Sequence, residues 1–173
     1  MTILKIVTTP DPILKIKSQI VDNIDKNIQK IMDDMLESMY AANGVGIAAV
    51  QVGILKRIFI LDFGKDKDGI LQNEPIFFVN PEILDLSEEQ QIYQEGCLSF
   101  PSGYCDMTRP KKVKIKYQDY HGKEQIMEAD DWLSRGIQHE YDHVEGITMV
   151  DRMSKLKGEL FLKKVKRKIL EGE

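Results

Sequence analysis

The sequence predicts an α+β domain in which antiparallel or mixed strands pack around a central helix carrying an HExxH string, with N-terminal and C-terminal helices at the flanks. Three observations predict it. A helical apolar period occupies residues 24–43, short runs rich in β-branched and aromatic residues fill the middle, and two further helical segments follow residue 130. At 173 residues, with 42% hydrophobic and 30% charged content, residues 1–173 suit a single globular domain. No internal repeat, low-complexity segment or Ser/Gly linker argues for a second one.

The first helix is read from "NIDKNIQKIMDDMLESMYAANG", where Ile24, Ile28, Ile31, Met32, Met35 and Met39 share one face and Asn43-Gly44 supplies a stop. The Met stripe suits core packing. "RIFILDF" (57–63) and "PIFFVNPEIL" (75–84) read as strands. In "KKVKIKYQDYHGKEQIMEA", Val113, Ile115 and Tyr117 alternate with polar residues before a turn near His121-Gly122, which predicts a hairpin with one solvated face. His121 sits at the tip of that turn and receives no role. "DDWLSRGIQHEYDHVEG" reads as the central helix, with Asp130 or Asp131 as cap and Gly146 as terminator. A basic amphipathic helix from Ser154 to about Leu170 closes the chain.

Composition excludes several classes. No stretch approaches the roughly 20 apolar residues needed to span a bilayer. The opening "MTILKIVTTPDP" carries one Lys and meets Pro10 and Pro12 before a signal-like apolar core forms, so a cytoplasmic protein is the expectation. Cys97 and Cys105 are too few for a disulfide framework and form no CxxC pair. The net charge of −4 is uneven: residues 151–173 hold eight Lys/Arg and four Asp/Glu, leaving an acidic body and a basic tail.

His139 and His143 lie four apart in the central helix, on one face and one turn from each other, so both imidazoles reach a single ion. Glu140 projects beside them, where a carboxylate can handle the protons of a water. Two His are an incomplete set, because catalytic sites of this kind use three protein ligands and a water. One protease pattern, HExxHxxGxxH, has Gly146 in place but meets Met149 where its third His belongs, and a thioether is a poor ligand for such ions. Another takes a downstream Glu, here Glu159, which no accompanying motif supports. Cys97, in "QEGCLSFPSG", is the better third ligand: a thiolate binds borderline metals well, Gly96 permits close backbone approach and Pro101 limits strand pairing. Taken alone, a Cys between Gly and Leu is more often a packing residue.

Three strings, "GVGIAAVQ" (44–51), "EGCLS" (95–99) and "QHEYDH" (138–143), stand in an order and spacing that together resemble peptide deformylase of the bacterial type with a C-terminal helix. The resemblance runs from "ILKIVTTPDPIL" into the terminal helix. It implies a hydrolase that removes the formyl group from N-formylmethionine of nascent polypeptides and releases formate. It also implies one ion per chain, typically Fe2+ with Zn2+, Ni2+ or Co2+ as substitutes, held by Cys97, His139 and His143 with water at the fourth position. Glu140 would take the water's proton and pass it to the leaving amine, while the Gln51 side chain and the Leu98 N–H would donate to the oxyanion.

The same resemblance assigns an extended peptide to the backbone of Gly44, Val45 and Gly46 on one side and Gly96 on the other, a mode tolerant of sequence. Val45, Tyr93, Trp132 and the His139 ring are candidates for an apolar pocket around the methionine side chain. Glu95 and Arg109 match a structural ion pair that would brace the Cys97 loop. The basic terminal helix, through Lys163, Lys164, Lys166, Arg167 and Lys168, would dock at the RNA-rich ribosome surface near the exit tunnel. Val45, Ile47 and Val144 depart from the commoner apolar residues of the family without loss of character. The rival readings are an HExxH metalloprotease and a domain whose Cys/His site is purely structural, closed by Cys105 as a fourth ligand.

Overall fold

The structure, a computed structural model, describes residues 2–64 and 74–171. Helix α1 (Lys26–Ala41) starts where the Asp25 carboxylate accepts from the N–H groups of Asn27 and Ile28, both at 2.9 Å. It stops where Asn43 turns left-handed at φ 54°. Strand β1 (Gly46–Ala48) runs into a 3-10 turn (Ala49–Val52), followed by β2 (Ile58–Leu61), β3 (Ile76–Leu86), β4 (Gln90–Cys97), β5 (Phe100–Pro110), β6 (Lys112–Gln118) and β7 (Glu124–Asp130). Helix α2 (Asp131–Val144), a 3-10 turn (Met149–Arg152) and α3 (Lys155–Glu171) complete the chain.

Five strands form one antiparallel sheet in the order β1-β2-β3-β6-β7, and β4 pairs with β5 in a separate hairpin. The alternation of β2 shows how the sheet is covered. Phe59 and Leu61 pack with Ile137 and Val144 of α2, whereas Ile58 and Ile60 pack with Met32, Met35 and Met39 of α1. With both faces buried, the strand is apolar throughout rather than alternating. The Met stripe is therefore core. A third apolar cluster seats α3 on the hairpin, with Phe161 and Val165 against Phe100, Cys105 and Met107.

The hairpin β4–β5 departs most from the sequence reading. Pro101 limits pairing locally, as expected: Cys97 pairs with Phe100 and Gly96 with Tyr104, so Pro101, Ser102 and Gly103 have no partner on β4, while the rest of β5 pairs in register. A proline is tolerated near a strand's first residues, at the edge of a two-stranded sheet. At the start of α2, Asp130 is the cap residue by position, but its side chain makes no capping hydrogen bond. Gly146 ends this segment at φ 73°, and a Cβ there would lie 2.7 Å from the Lys15 carbonyl oxygen, so the turn needs glycine on both counts. The expected hairpin around His121-Gly122 is β6–β7, and Cys105 is a buried residue of β5.

Candidate metal centre

Helix α2 presents His139, Glu140 and His143 toward the end of β4, where the strand delivers Cys97. The Cys97 Sγ lies 3.3 Å from His143 Nε2, and ligand atoms of Cys97, His139 and His143 all fall within 4.8 Å of one another. Thiolate and imidazole donors at this spacing fit a single ion with bonds of roughly 2.0–2.3 Å. His139 turns Nδ1 to Glu95 Oε2 at 2.9 Å, which leaves Nε2 for the ion. Burial, reinforced by the charge of His139, holds His143 well below the usual imidazole range, so its Nε2 lone pair is available. Cys105 does not join the group; its Sγ lies 3.6 Å from the Asp106 carbonyl oxygen.

Beside the ligands lies a cavity of about 540 Å³, whose walls include Gly44, Val45, Gly46, Gln51, Gly96, Cys97, Leu98, His139 and Glu140. Glu140 is buried, and its Oε2 has no hydrogen-bond partner among the described residues. Burial pushes its carboxyl up to about 7, with the neighbouring His139 opposing the rise. A base with this affinity is suited to proton transfer near neutral pH. Gly46 makes room for it. A Cβ on Gly46 would lie 2.5 Å from Glu140 Oε1 and 2.8 Å from Leu61 Cδ2. Gly46→Ala protein is expected to fold and hold metal but to lose kcat, because Glu140 must move; unchanged turnover would show that its position is not critical.

Gln51 is oriented from both ends. Its Oε1 accepts from the Ala48 N–H at 2.8 Å, so Nε2 faces the ligands, 3.4 Å from Cys97 Sγ and 3.1 Å from Ser99 Oγ. Leu98 begins the turn after Cys97 on the same cavity wall. Strand β1 is an edge of its sheet, and the Asp62 N–H takes the Val45 carbonyl at 2.9 Å on the β2 side. The alternation of an antiparallel ladder then turns the Gly46 backbone groups toward the open edge.

Tyr93 and Trp132, expected in the walls of the apolar pocket, lie outside the cavity lining. Trp132 is more than half exposed on the first turn of α2, where the Arg135 guanidinium stacks over its ring at 3.8 Å and over Tyr93 at 5.0 Å. Arg135, Gly136, Leu61 and Phe63 stand in the cavity wall instead.

Glu95 and Arg109 form a buried bidentate pair at 2.6 and 3.0 Å. Burial alone would raise the Glu95 carboxyl, but hydrogen bonds from His139 and Arg109 pull it down to about 2. A carboxyl depressed in the folded state stabilises the fold fully above its ordinary value of 4.5, and that contribution disappears as pH falls from 4.5 toward about 2. Acid titration of the folding free energy is expected to show this loss in wild-type protein and to lack it in Glu95→Gln protein. Sequence reasoning did not single out Ser99, Asp142 or Arg152. Ser99 and Asp142 lie inside the strings already quoted, whereas Arg152 had no local signal.

An α2-borne His pair, a strand-borne Cys, a buried carboxylate and an open strand edge define a metal-dependent hydrolase acting on an extended chain. The family model for polypeptide deformylase matches residues 3–159. A peptide deformylase of Rickettsia canadensis is 51% identical over 170 residues, covering 96% of this chain and 97% of the relative. The crystal structure of peptide deformylase from Ehrlichia chaffeensis superposes with a TM-score of 0.89 at 41% identity, covering 99% of both chains. A structure of the same relative in complex with actinonin gives 0.90. This chain belongs to the polypeptide deformylase family.

Proposed function

We infer that the chain hydrolyses the N-formyl group of N-formylmethionyl nascent polypeptides, releasing formate and a free amino terminus. The observation that carries this reading is the buried Glu140 carboxylate, its Oε2 without a partner among the described residues, on the wall of a cavity shared with Cys97 and His139 and edged by the β1 backbone. Cys97, His139 and His143 would hold one divalent ion, which would supply Lewis acidity for a water and for the carbonyl. We assign that ion as Fe2+, with Zn2+, Ni2+ or Co2+ able to substitute, at one per chain.

The chain's own groups do the rest. The Gly46 backbone, with that of Gly44, Val45 and Gly96 nearby, aligns the peptide as an added strand between β1 and β4. Glu140 accepts a proton from the attacking water and delivers it to the leaving amine nitrogen. Gln51 Nε2 and the Leu98 N–H donate to the oxygen of the former formyl carbonyl, where negative charge develops. The Glu95–Arg109 pair holds His139 in orientation. Mass spectrometry of formyl-Met-Ala-Ser after incubation tests the assignment. Loss of the formyl group with both peptide bonds intact is expected, whereas internal cleavage would mark a protease.

We place the activity in the cytoplasm, at the ribosome near the exit tunnel. No helix among the described residues is long and apolar enough to cross a membrane. Helix α3 buries Phe161 and Val165 and leaves Lys163, Lys164 and Arg167 on its exposed side, a cationic surface for RNA phosphates. Ribosome binding is expected to weaken steeply with added salt and to be lost when these three residues are replaced by Glu. Salt-independent binding, or binding unaffected by the replacements, would remove α3 from the interaction.

A further inference from the structure

A continuous chain of charged groups leads from the metal centre to the protein surface. His139 Nδ1 meets Glu95 Oε2 at 2.9 Å, and Glu95 is gripped by Arg109 through Nε at 2.6 Å and Nη2 at 3.0 Å. Arg109 turns its remaining nitrogen, Nη1, to Asp142 Oδ2 at 2.9 Å. Asp142 in turn is held by Arg152, through Nε to Oδ2 at 3.1 Å and through Nη2 to Oδ1. Glu95, Arg109 and Asp142 are all buried, while half of the Arg152 side chain is exposed.

The charge balance makes Arg152 more than a surface partner. The buried part of the chain carries two carboxylates, Glu95 and Asp142, against one guanidinium, Arg109. Arg152 supplies the second positive charge. Without it Arg109 must neutralise both carboxylates, and its fork turns toward Asp142 at the expense of Glu95. Glu95 then holds the His139 ring less firmly. A ligating imidazole depends on the partner of its other nitrogen for orientation and donor strength, so the disturbance reaches the ion. Asp142 sits between the two His ligands on α2, three residues after His139 and one before His143, which shortens the path further.

We propose that Arg152 is a positioning residue for the metal centre, setting the hold on the ion through Asp142, Arg109, Glu95 and His139. The inference rests on the three-ligand metal reading above.

The test is titration of Co2+ into metal-free protein, read by the visible absorption of the bound ion and by its dissociation constant. Wild type, Arg152→Ala, Arg152→Lys and Val165→Ala are compared. Loss of a group supporting a metal ligand costs roughly 10- to 100-fold in affinity, and Arg152→Ala, four contacts removed from the ligand, is expected near the lower figure with altered Co2+ bands. Arg152→Lys restores the charge but not the paired N–H groups, and is expected to recover part of the affinity. Val165→Ala loosens the α3 seat without touching the charged chain; it is expected to lower thermal stability and leave Co2+ binding unchanged. Wild-type affinity and spectrum in Arg152→Ala would overturn the proposal, as would equal weakening in Val165→Ala. Failure of wild type itself to bind Co2+ through a thiolate would instead remove the metal reading beneath it.

Discussion

Glu140→Gln protein is expected to keep its metal and to lose about 100- to 10,000-fold in kcat for deformylation, the range that a positioned acid–base group contributes. The substitution conserves shape in a buried site, so the helix and the ligand pair on either side of it remain in place. What disappears is the ability to accept a proton. Glu140 suits that task because burial has raised its proton affinity to the neutral range and because Oε2 has no partner among the described residues competing for it. Metal content is measured by elemental analysis beside turnover. Full turnover would exclude Glu140 as the base, and loss of the ion together with activity would reassign it to holding the site together.

The second large effect is at Cys97. Replacing it with Ala leaves two imidazoles on one helix, and affinity for Co2+ or Zn2+ is expected to fall by more than the roughly 10- to 100-fold that an outer partner is worth. Activity falls with it. Cys105→Ala is the matched control: it removes a β5 thiol that packs in the α3 cluster and whose sulfur is not grouped with the ligand atoms, so metal binding is expected to persist. Loss of metal in Cys105→Ala would revive a closed structural site with four protein ligands, whereas retention in Cys97→Ala would show that the strand contributes no ligand.

Helix α2 and the shared face of His139 and His143 were legible from spacing alone, since residues four apart must share a helical face. The grouping of Cys97 with the two histidines was legible only in company with the strings around Gly44 and His139, because no local pattern separates such a Cys from a packing one. The β4–β5 hairpin was hidden for a physical reason. The inward positions of β5 include Phe100, Gly103, Cys105, Met107 and Arg109, and a glycine and an arginine interrupt the apolar alternation that marks a strand. Arg109 can face inward because Glu95 and Asp142 neutralise it, a fact set by two other elements. Strand β4 buries little besides Glu95, so its sequence reads as a polar loop. The stacking of Arg135 on Trp132 was not legible, because it depends on which way two side chains of one helix turn. Arg152 was invisible because its target lies ten residues back, across the turn that separates α2 from α3.

The most direct test of the account is formate release from formyl-Met-Ala-Ser by protein reconstituted with Fe2+ without oxygen. Metal-free wild type and Glu140→Gln protein carrying Fe2+ are run in parallel. One formate per peptide consumed is expected from the reconstituted wild type and almost none from either comparison. Formate released equally by the metal-free protein, or none from a wild type shown to hold its ion on Cys97, His139 and His143, would contradict it.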